Sequence, residues 1–185
     1  MTVDHSAKVI DKVDRKLALV IVDVQKKFIM HANDTTLESA KIHTPSMLKV
    51  IEMFREAGKP VIWILYDDRS HVEGITNDTM ALLDGFEIKD TDIVIKKYHM
   101  NSFNNTSLSD VIHKYGCDAA LLMGMFAQYC VMSTYWGAFD KDVAPYMMKD
   151  CLISTNEKFC DLAFDLCRSF DMDELKANFE KNKTA

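Results

Sequence analysis

The sequence predicts a three-layer α/β/α domain around a mainly parallel sheet of five to six strands, Rossmann-like in type. Two observations predict it. Short apolar runs recur along the chain, and segments with helical spacing of apolar residues separate them, the alternation from which parallel sheets are built. The strongest runs are also continuously apolar rather than alternating, as expected of strands covered by helices on both faces.

The first run, Leu17-Ala18-Leu19-Val20-Ile21-Val22, ends at Asp23 and reads as a buried strand. Between residues 35 and 57, Leu37, Ile42, Met47, Leu48, Ile51 and Phe54 recur at helical spacing, and Pro45 suggests a first turn starting near Thr44. Gly58 closes that helix, and Lys59-Pro60 leads into the second strand, over 61–65. Residues 67–91 are polar and irregular, with a short helix expected at 79–83. The third strand covers 93–95 and is followed by Lys96, Lys97 and a helix over 107–115 that Gly116 ends. The fourth strand, 119–123, runs into a helix carrying Cys130. Val131, Tyr135 and Ala138 form one stripe of that helix and Met132, Trp136 and Phe139 another, so it is expected to be buried or to meet another subunit. A fifth strand is expected over 143–148, then a helix over 159–170 with Leu162, Ala163 and Leu166 inward, and a last short strand near Asp171. The length fits one domain spanning 1–185, with 1–16 as an N-terminal extension.

Composition narrows the class. About half the residues are apolar and 27% charged, which fits a globular chain able to build its own core. A net charge of −6, with no basic stripe interleaved with aromatic residues, disfavours nucleic acid or an anionic membrane as the main partner. No apolar run approaches the length of a membrane span, and residues 1–16 hold no signal-peptide core. The five cysteines form no Cys-x-x-Cys pair, and their odd number suits a reducing cytoplasm better than a disulfide framework.

Three residues stand just past predicted strands and therefore on one sheet edge: Asp23, Lys97 and Cys130. A carboxylate can take a thiol proton, an ammonium can hold the negative charge, and a thiolate can attack a carbonyl. A thiol at a helix start is also expected to ionise more readily than a free cysteine. Each residue also has a purely structural use, as a turn cap, a solvated lysine and a small buried hydrophobe.

The stretches around these residues resemble the isochorismatase-like cysteine hydrolases, a superfamily that includes nicotinamidases, carbamoylsarcosine amidase and ureide amidohydrolases. Asp23-Val24-Gln25-Lys26-Lys27-Phe28 is similar to its Asp-x-Gln-x-x-Phe. The third strand, Lys97, and then Ser102-Phe103-Asn104-Asn105-Thr106-Ser107-Leu108 resemble its lysine followed by small-Phe-x-x-Thr-x-Leu, a spacing that selects Lys97 over Lys96. Gly124-Met125-Phe126-Ala127-Gln128-Tyr129-Cys130-Val131, with Ser133, Thr134 and Ala138 beyond, resembles its Gly-Val-x-Thr-x-x-Cys-Val helix start, and Asp150 before Ser154 fits as well. The resemblance implies a nucleophilic Cys130, Asp23 as base and Lys97 stabilising the ionised pair. It also implies a cis peptide before Phe126, with the backbone N–H groups of Phe126 and Cys130 as an oxyanion hole. Ala127 departs from the common Thr, and Met125-Phe126 is bulkier than the usual pair.

The implied activity is hydrolysis of a small amide or ureide C–N bond through an acyl-thioester. Isochorismatase-type vinyl ether hydrolysis and a catalytically silent metabolite binder are the alternatives. Nicotinamidases place Asp-x-His and a second His after the second strand. Here Tyr66-Asp67-Asp68-Arg69-Ser70-His71 lacks that pair, so no metal or other cofactor is expected, and the remaining histidines show no ligand spacing. Gln25, Phe28, Tyr98, His99, Asn101 and Tyr129 adjoin the three central positions and are the expected substrate contacts, with core packing the competing use of Phe28 and Tyr129. The expected partners are a small-molecule substrate and further copies of the chain, as a homodimer or homotetramer.

Overall fold

In the computed structural model, residues 12–68 and 80–182 are described. The strands are β1 (Leu17–Val22), β2 (Val61–Tyr66), β3 (Ile93–Lys97), β4 (Ala119–Met125), β5 (Ala144–Ile153) and β6 (Ser169–Phe170). The helices are α1 (Asp34–Glu56), α2 (Leu108–Lys114), α3 (Met132–Phe139), α4 (Glu157–Leu166) and α5 (Met172–Lys181). All pairings are parallel, and the strand order is β3-β2-β1-β4-β5-β6. The order reverses between β1 and β4, so the carboxyl ends of these two strands open a crevice at the point where sheets of this kind bind ligands.

Every residue of β1 and β4 is buried, because apolar clusters cover both faces of the sheet. One cluster joins alternate strand residues such as Leu19, Ile21 and Leu121 to Met47, Ile51 and Phe54 of α1. The other joins Val20, Val22 and Leu122 to Leu108 and Ile112 of α2 and Val131, Tyr135 and Ala138 of the segment after β4. Burying a side chain of this size contributes about 1.5–3 kcal/mol.

The helices depart from the sequence reading in four places. α1 begins eleven residues before Pro45, where Asn33 Oδ1 accepts from the Thr36 N–H, and Pro45 lies inside it. A proline interior to a helix removes one hydrogen bond, and the Thr44 hydroxyl donates to the Ala40 carbonyl beside it. Its buried face is Thr36, Ser39, Ala40, His43, Met47, Val50, Ile51 and Phe54, whereas Leu37 and Ile42 are exposed. α4 ends at Leu166 and turns Cys160 and Ala163 inward, leaving Leu162 and Leu166 about half exposed. Ser169–Phe170 forms the last strand, and Asp171 instead starts α5 through a capping box with Glu174. Asn178 of α5 is fully buried and donates to the carbonyls of Lys12, Val13 and Arg15, which holds the turn preceding β1. The expected helix at 79–83 falls partly outside the described residues. Over Ala81–Leu83 the chain instead runs beside β1's exit, with Lys26 N–H donating to Ala81 O and Leu83 N–H to Val24 O.

Candidate active site

Asp23 follows β1 directly and takes φ 54°, in the left-handed region that aspartate tolerates better than most residues. Its N–H continues the ladder to Ile64 O, while the turn lets Gln25 N–H return to Asp23 O at 2.7 Å. The carboxylate is thereby turned off the sheet edge and remains 1% exposed. Strained residues of this kind cost about 1–3 kcal/mol and concentrate at functional sites.

Gly124, at φ +124°, explains how β4 can approach. A Cβ there would meet Val22 O at 2.1 Å and Val22 N at 2.7 Å, so only glycine lets β4 close on the residue preceding Asp23. The peptide between Met125 and Phe126 is cis. The chain then winds through a single π-type turn, Ala127–Val131, into α3. Tyr129 and Val131 N–H both donate to Phe126 O. Cys130 sits within this turn, and its thiol interacts with both Asp23 and Lys97.

Lys97 comes from the opposite side of β1. Alternation along β3 turns Lys96 outward, where it pairs with Asp67 at 3.3 Å, and Lys97 inward. Lys97 Nζ lies 2.7 Å from Asp23 Oδ2, with both side chains essentially inaccessible, and also donates to Met100 O at 2.8 Å. The loop after Lys97 is bound to the helix after Cys130. Ser102 N–H donates to Thr134 Oγ1 at 3.0 Å, their hydroxyls are 2.8 Å apart, and Thr106 Oγ1 donates to Ser102 O. Phe103 and Leu108 are buried beneath this loop. The Ser-Phe-x-x-Thr-x-Leu stretch is therefore scaffold, tying the lysine's loop to the cysteine's helix.

Burial raises the Asp23 pKa above the usual carboxylate range, with Lys97 the chief opposing influence. Burial and the neighbouring Asp23 carboxylate push the Cys130 thiol up to about 12, against the pull of Lys97. This corrects the expected easy ionisation at a helix start. Cys130 lies inside the helical turn rather than ahead of it, and desolvation with a nearby anion outweighs the helix terminus. The resting arrangement is thus a thiol beside a carboxylate that is itself held by an ammonium.

Two expected substrate contacts are occupied by the scaffold. Gln25 is fully buried. Its Oε1 accepts from Tyr66 N–H at 2.8 Å and its Nε2 donates to Tyr66 O at 3.2 Å and Met80 O at 3.4 Å, so it staples the ends of β1 and β2 to the segment at residue 80. Asn101 Oδ1 accepts from Phe103 N–H at 2.8 Å, and its carboxamide fills the space where a side chain on Gly137 of α3 would stand. A buried carboxamide satisfies its donors and acceptors internally, as Gln25 does. Tyr129 is 50% exposed, against its expected alternative of core packing. His99 is exposed and packs edge-on to Tyr98.

Phe28 and Tyr98 belong to an aromatic wall beside the cluster, which also contains Phe126 and a residue absent from the expected contacts, Tyr66. Tyr66 packs against Phe28 at 5.9 Å and Tyr98 at 5.8 Å, and Phe28 against Phe126 at 6.2 Å. Lys27 Nζ stands 4.5 Å and Lys97 Nζ 5.7 Å from the Tyr66 ring centroid. Tyr66 ends β2, next to the strand that ends at Asp23, and that adjacency was the available signal. Asp68 is paired with Lys27 at 2.7 Å, and Asp67 with Lys96. His71 lies outside the described residues.

Comparison with known proteins bears on the fold and the family. The structure superposes on an isochorismatase family protein of Desulfovibrio vulgaris with a TM-score of 0.77 and 18% identity, covering 88% of this chain and 97% of that one. It superposes on N-carbamoylsarcosine amidase of Thermoplasma acidophilum with a TM-score of 0.68 and 26% identity, covering 84% and 95%. In sequence it is 25% identical over 118 residues to the secreted isochorismatase effector Isc1 of Verticillium dahliae, spanning 63% of this chain and 61% of that protein. The Isochorismatase domain model matches residues 17–172, a span that takes in all three strand ends and both helices flanking Cys130, and the chain belongs to the isochorismatase family.

Proposed function

We propose that the protein is a cysteine-dependent hydrolase of a small amide or ureide C–N bond. The buried Asp23–Lys97 ion pair at 2.7 Å with the Cys130 thiol against it carries this reading. Lys97 holds the carboxylate in place. Cys130 passes its proton to Asp23 as the sulfur forms a bond to the substrate carbon, and the carbonyl electron pair moves onto oxygen. The backbone N–H groups of Phe126 and Cys130 receive that oxyanion, a role whose loss at one donor costs roughly a hundredfold or more. Collapse expels ammonia or an amine, which takes the proton from Asp23, and leaves an acyl-thioester. Asp23 then deprotonates water to release the acid and restore the thiol.

The likeness to N-carbamoylsarcosine amidase favours a ureide or a related small amide. Phe28, Tyr66, Tyr98 and Phe126 suit a planar substrate group. A second reading, vinyl ether hydrolysis, is supported by the raised Asp23 pKa, since a carboxyl that keeps its proton can protonate an enol ether. We further propose a cytoplasmic protein that works as a homodimer or homotetramer, with half-exposed Trp136 and Phe139 on α3 supporting self-association. No helix among the described residues is long and apolar enough to cross a membrane.

Intact-mass analysis during turnover of small amides and ureides tests the main reading. An acyl adduct on Cys130, ammonia release, and loss of both in a folded Cys130→Ala protein are expected. Full vinyl ether hydrolysis by Cys130→Ala would establish the second reading instead, and no adduct or turnover across the panel would leave a binding protein.

A further inference from the structure

A second cysteine meets a base and an acid at the seam between α1 and α4, in residues other than Asp23, Lys97 and Cys130. His43 on α1 is 7% exposed and Cys160 on α4 is 3% exposed, while Glu157 opens α4. A ring nitrogen of His43, a carboxylate oxygen of Glu157 and the sulfur of Cys160 all lie within 4.8 Å of one another. His43 Nε2 is 3.0 Å from Glu157 Oε2. His43 Nδ1 and Glu157 Oε1 are buried and have no hydrogen-bond partner among the described residues. Native interiors pair nearly all such atoms, so two orphans at one point, beside three convergent donors, call for an explanation.

The geometry points to a zinc site formed by His43, Glu157 and Cys160. One nitrogen, one oxygen and one sulfur are the donors that zinc accepts, and the sulfur disfavours magnesium or calcium. Tetrahedral zinc holds its ligands about 3.3–3.6 Å apart, so small side-chain movements bring the observed spacing into range. The Glu157 side chain is 46% exposed, which leaves solvent access to a fourth position. The Ser39 hydroxyl accepts from Ser154 N–H and lies near the Glu157 carboxylate, a polar surround of the kind that orients metal ligands.

The charges balance. Zinc displaces the Cys160 proton to solvent, the His43 ring offers one nitrogen as a ligand, and thiolate and carboxylate together cancel the metal's charge. Bound there, zinc pins α1 to α4, and α4 packs behind the turn that carries Cys130.

Cobalt titration of the untagged protein tests the site, because a cobalt–thiolate bond gives a charge-transfer absorption that nitrogen or oxygen ligands alone do not. One cobalt per chain with that absorption is expected, and zinc should displace it. The band should persist in Cys130→Ala, vanish in Cys160→Ser, and require at least tenfold more cobalt in His43→Asn and in Glu157→Gln, whose half-exposed position tolerates the change. Zinc should raise the melting temperature of the wild type by several degrees and that of His43→Asn hardly at all. Absence of a stoichiometric band, or a band unchanged in Cys160→Ser or in both His43→Asn and Glu157→Gln, overturns the proposal.

Discussion

Two places in this molecule set a cysteine against an acid and a basic group, and they differ in the basic group and in the backbone beneath it. Around Cys130 the basic group is Lys97, a cation with no lone pair to offer, and the acid is on the strained turn at Asp23. At the α1–α4 seam it is His43, which offers a lone pair, and all three side chains stand on regular helices. An ammonium holds a negative charge in place without competing for it, which suits a carboxylate that must accept a proton from a thiol. An imidazole beside a thiol and a carboxylate suits a ligand set. The pairing partner, more than the cysteine, separates the two chemistries.

The contrast breaks most sharply at Lys97. Replacing it with Met leaves the Asp23 carboxylate buried without its partner, and breaking a buried pair in this way costs about 3–5 kcal/mol. For a chain of this size even the lower figure lowers the melting temperature by roughly 6–12 °C. The direction with pH follows from Asp23. Its native pKa is already raised by burial and rises further without Lys97, so the native state holds the proton more tightly than the unfolded chain. The deficit is therefore smallest below the unfolded carboxylate value of about 3.9 and grows as pH climbs through the raised native value, which melting curves across pH will read.

Gly124→Ala comes next. Its Cβ would collide with Val22 backbone at 2.1 Å, and the residue would be held at φ +124°. A loss of at least about 2 kcal/mol is expected, together with a fall in turnover, as β4 moves away from the Asp23 turn. Lys96→Met should do least. Its side chain is 61% exposed in its pair with Asp67, and the unfolding free energy from denaturant titration should shift by no more than about 0.5 kcal/mol with activity unchanged. A large effect at Lys96 and a small one at Lys97 would reverse the assignment of the two lysines.

The strands were legible because burial on both faces leaves continuous apolar runs, as in β1 and β4. Helix faces were less so. Leu162 and Leu166 are apolar yet exposed, while the smaller Cys160 and Ala163 face the sheet, because close packing at α4 favours small side chains. α5 is less legible although Asp171 and Glu174 spell a capping box, since its inward stripe includes the polar Asn178. At the candidate site, position past a strand end brought Asp23, Lys97 and Cys130 to one edge. The same proximity rule also offers Gln25 and Asn101, but the Gln25 carboxamide is taken up by Tyr66 and Met80, partners far off in sequence, and Asn101 Oδ1 accepts from Phe103 N–H. His43 and Glu157 lie 114 residues apart, so no local spacing could have joined them.

The pH dependence of Cys130 alkylation tests the central claim most directly. If Asp23 is the base, losing one proton from the Asp23–Cys130 pair suffices to populate a thiolate beside a protonated carboxyl, and the pair titrates as a unit. Reactivity should then show an early step, above the ordinary carboxylate value of about 3.9 but well below a free cysteine's value of about 8.5, from the minor share of the pair that carries its proton on Asp23, although full ionisation of the thiol is pushed up to about 12, with the four buried cysteines silent. Alkylation of Cys130 that rises only at or above that cysteine value, no earlier than for the other thiols, would contradict it.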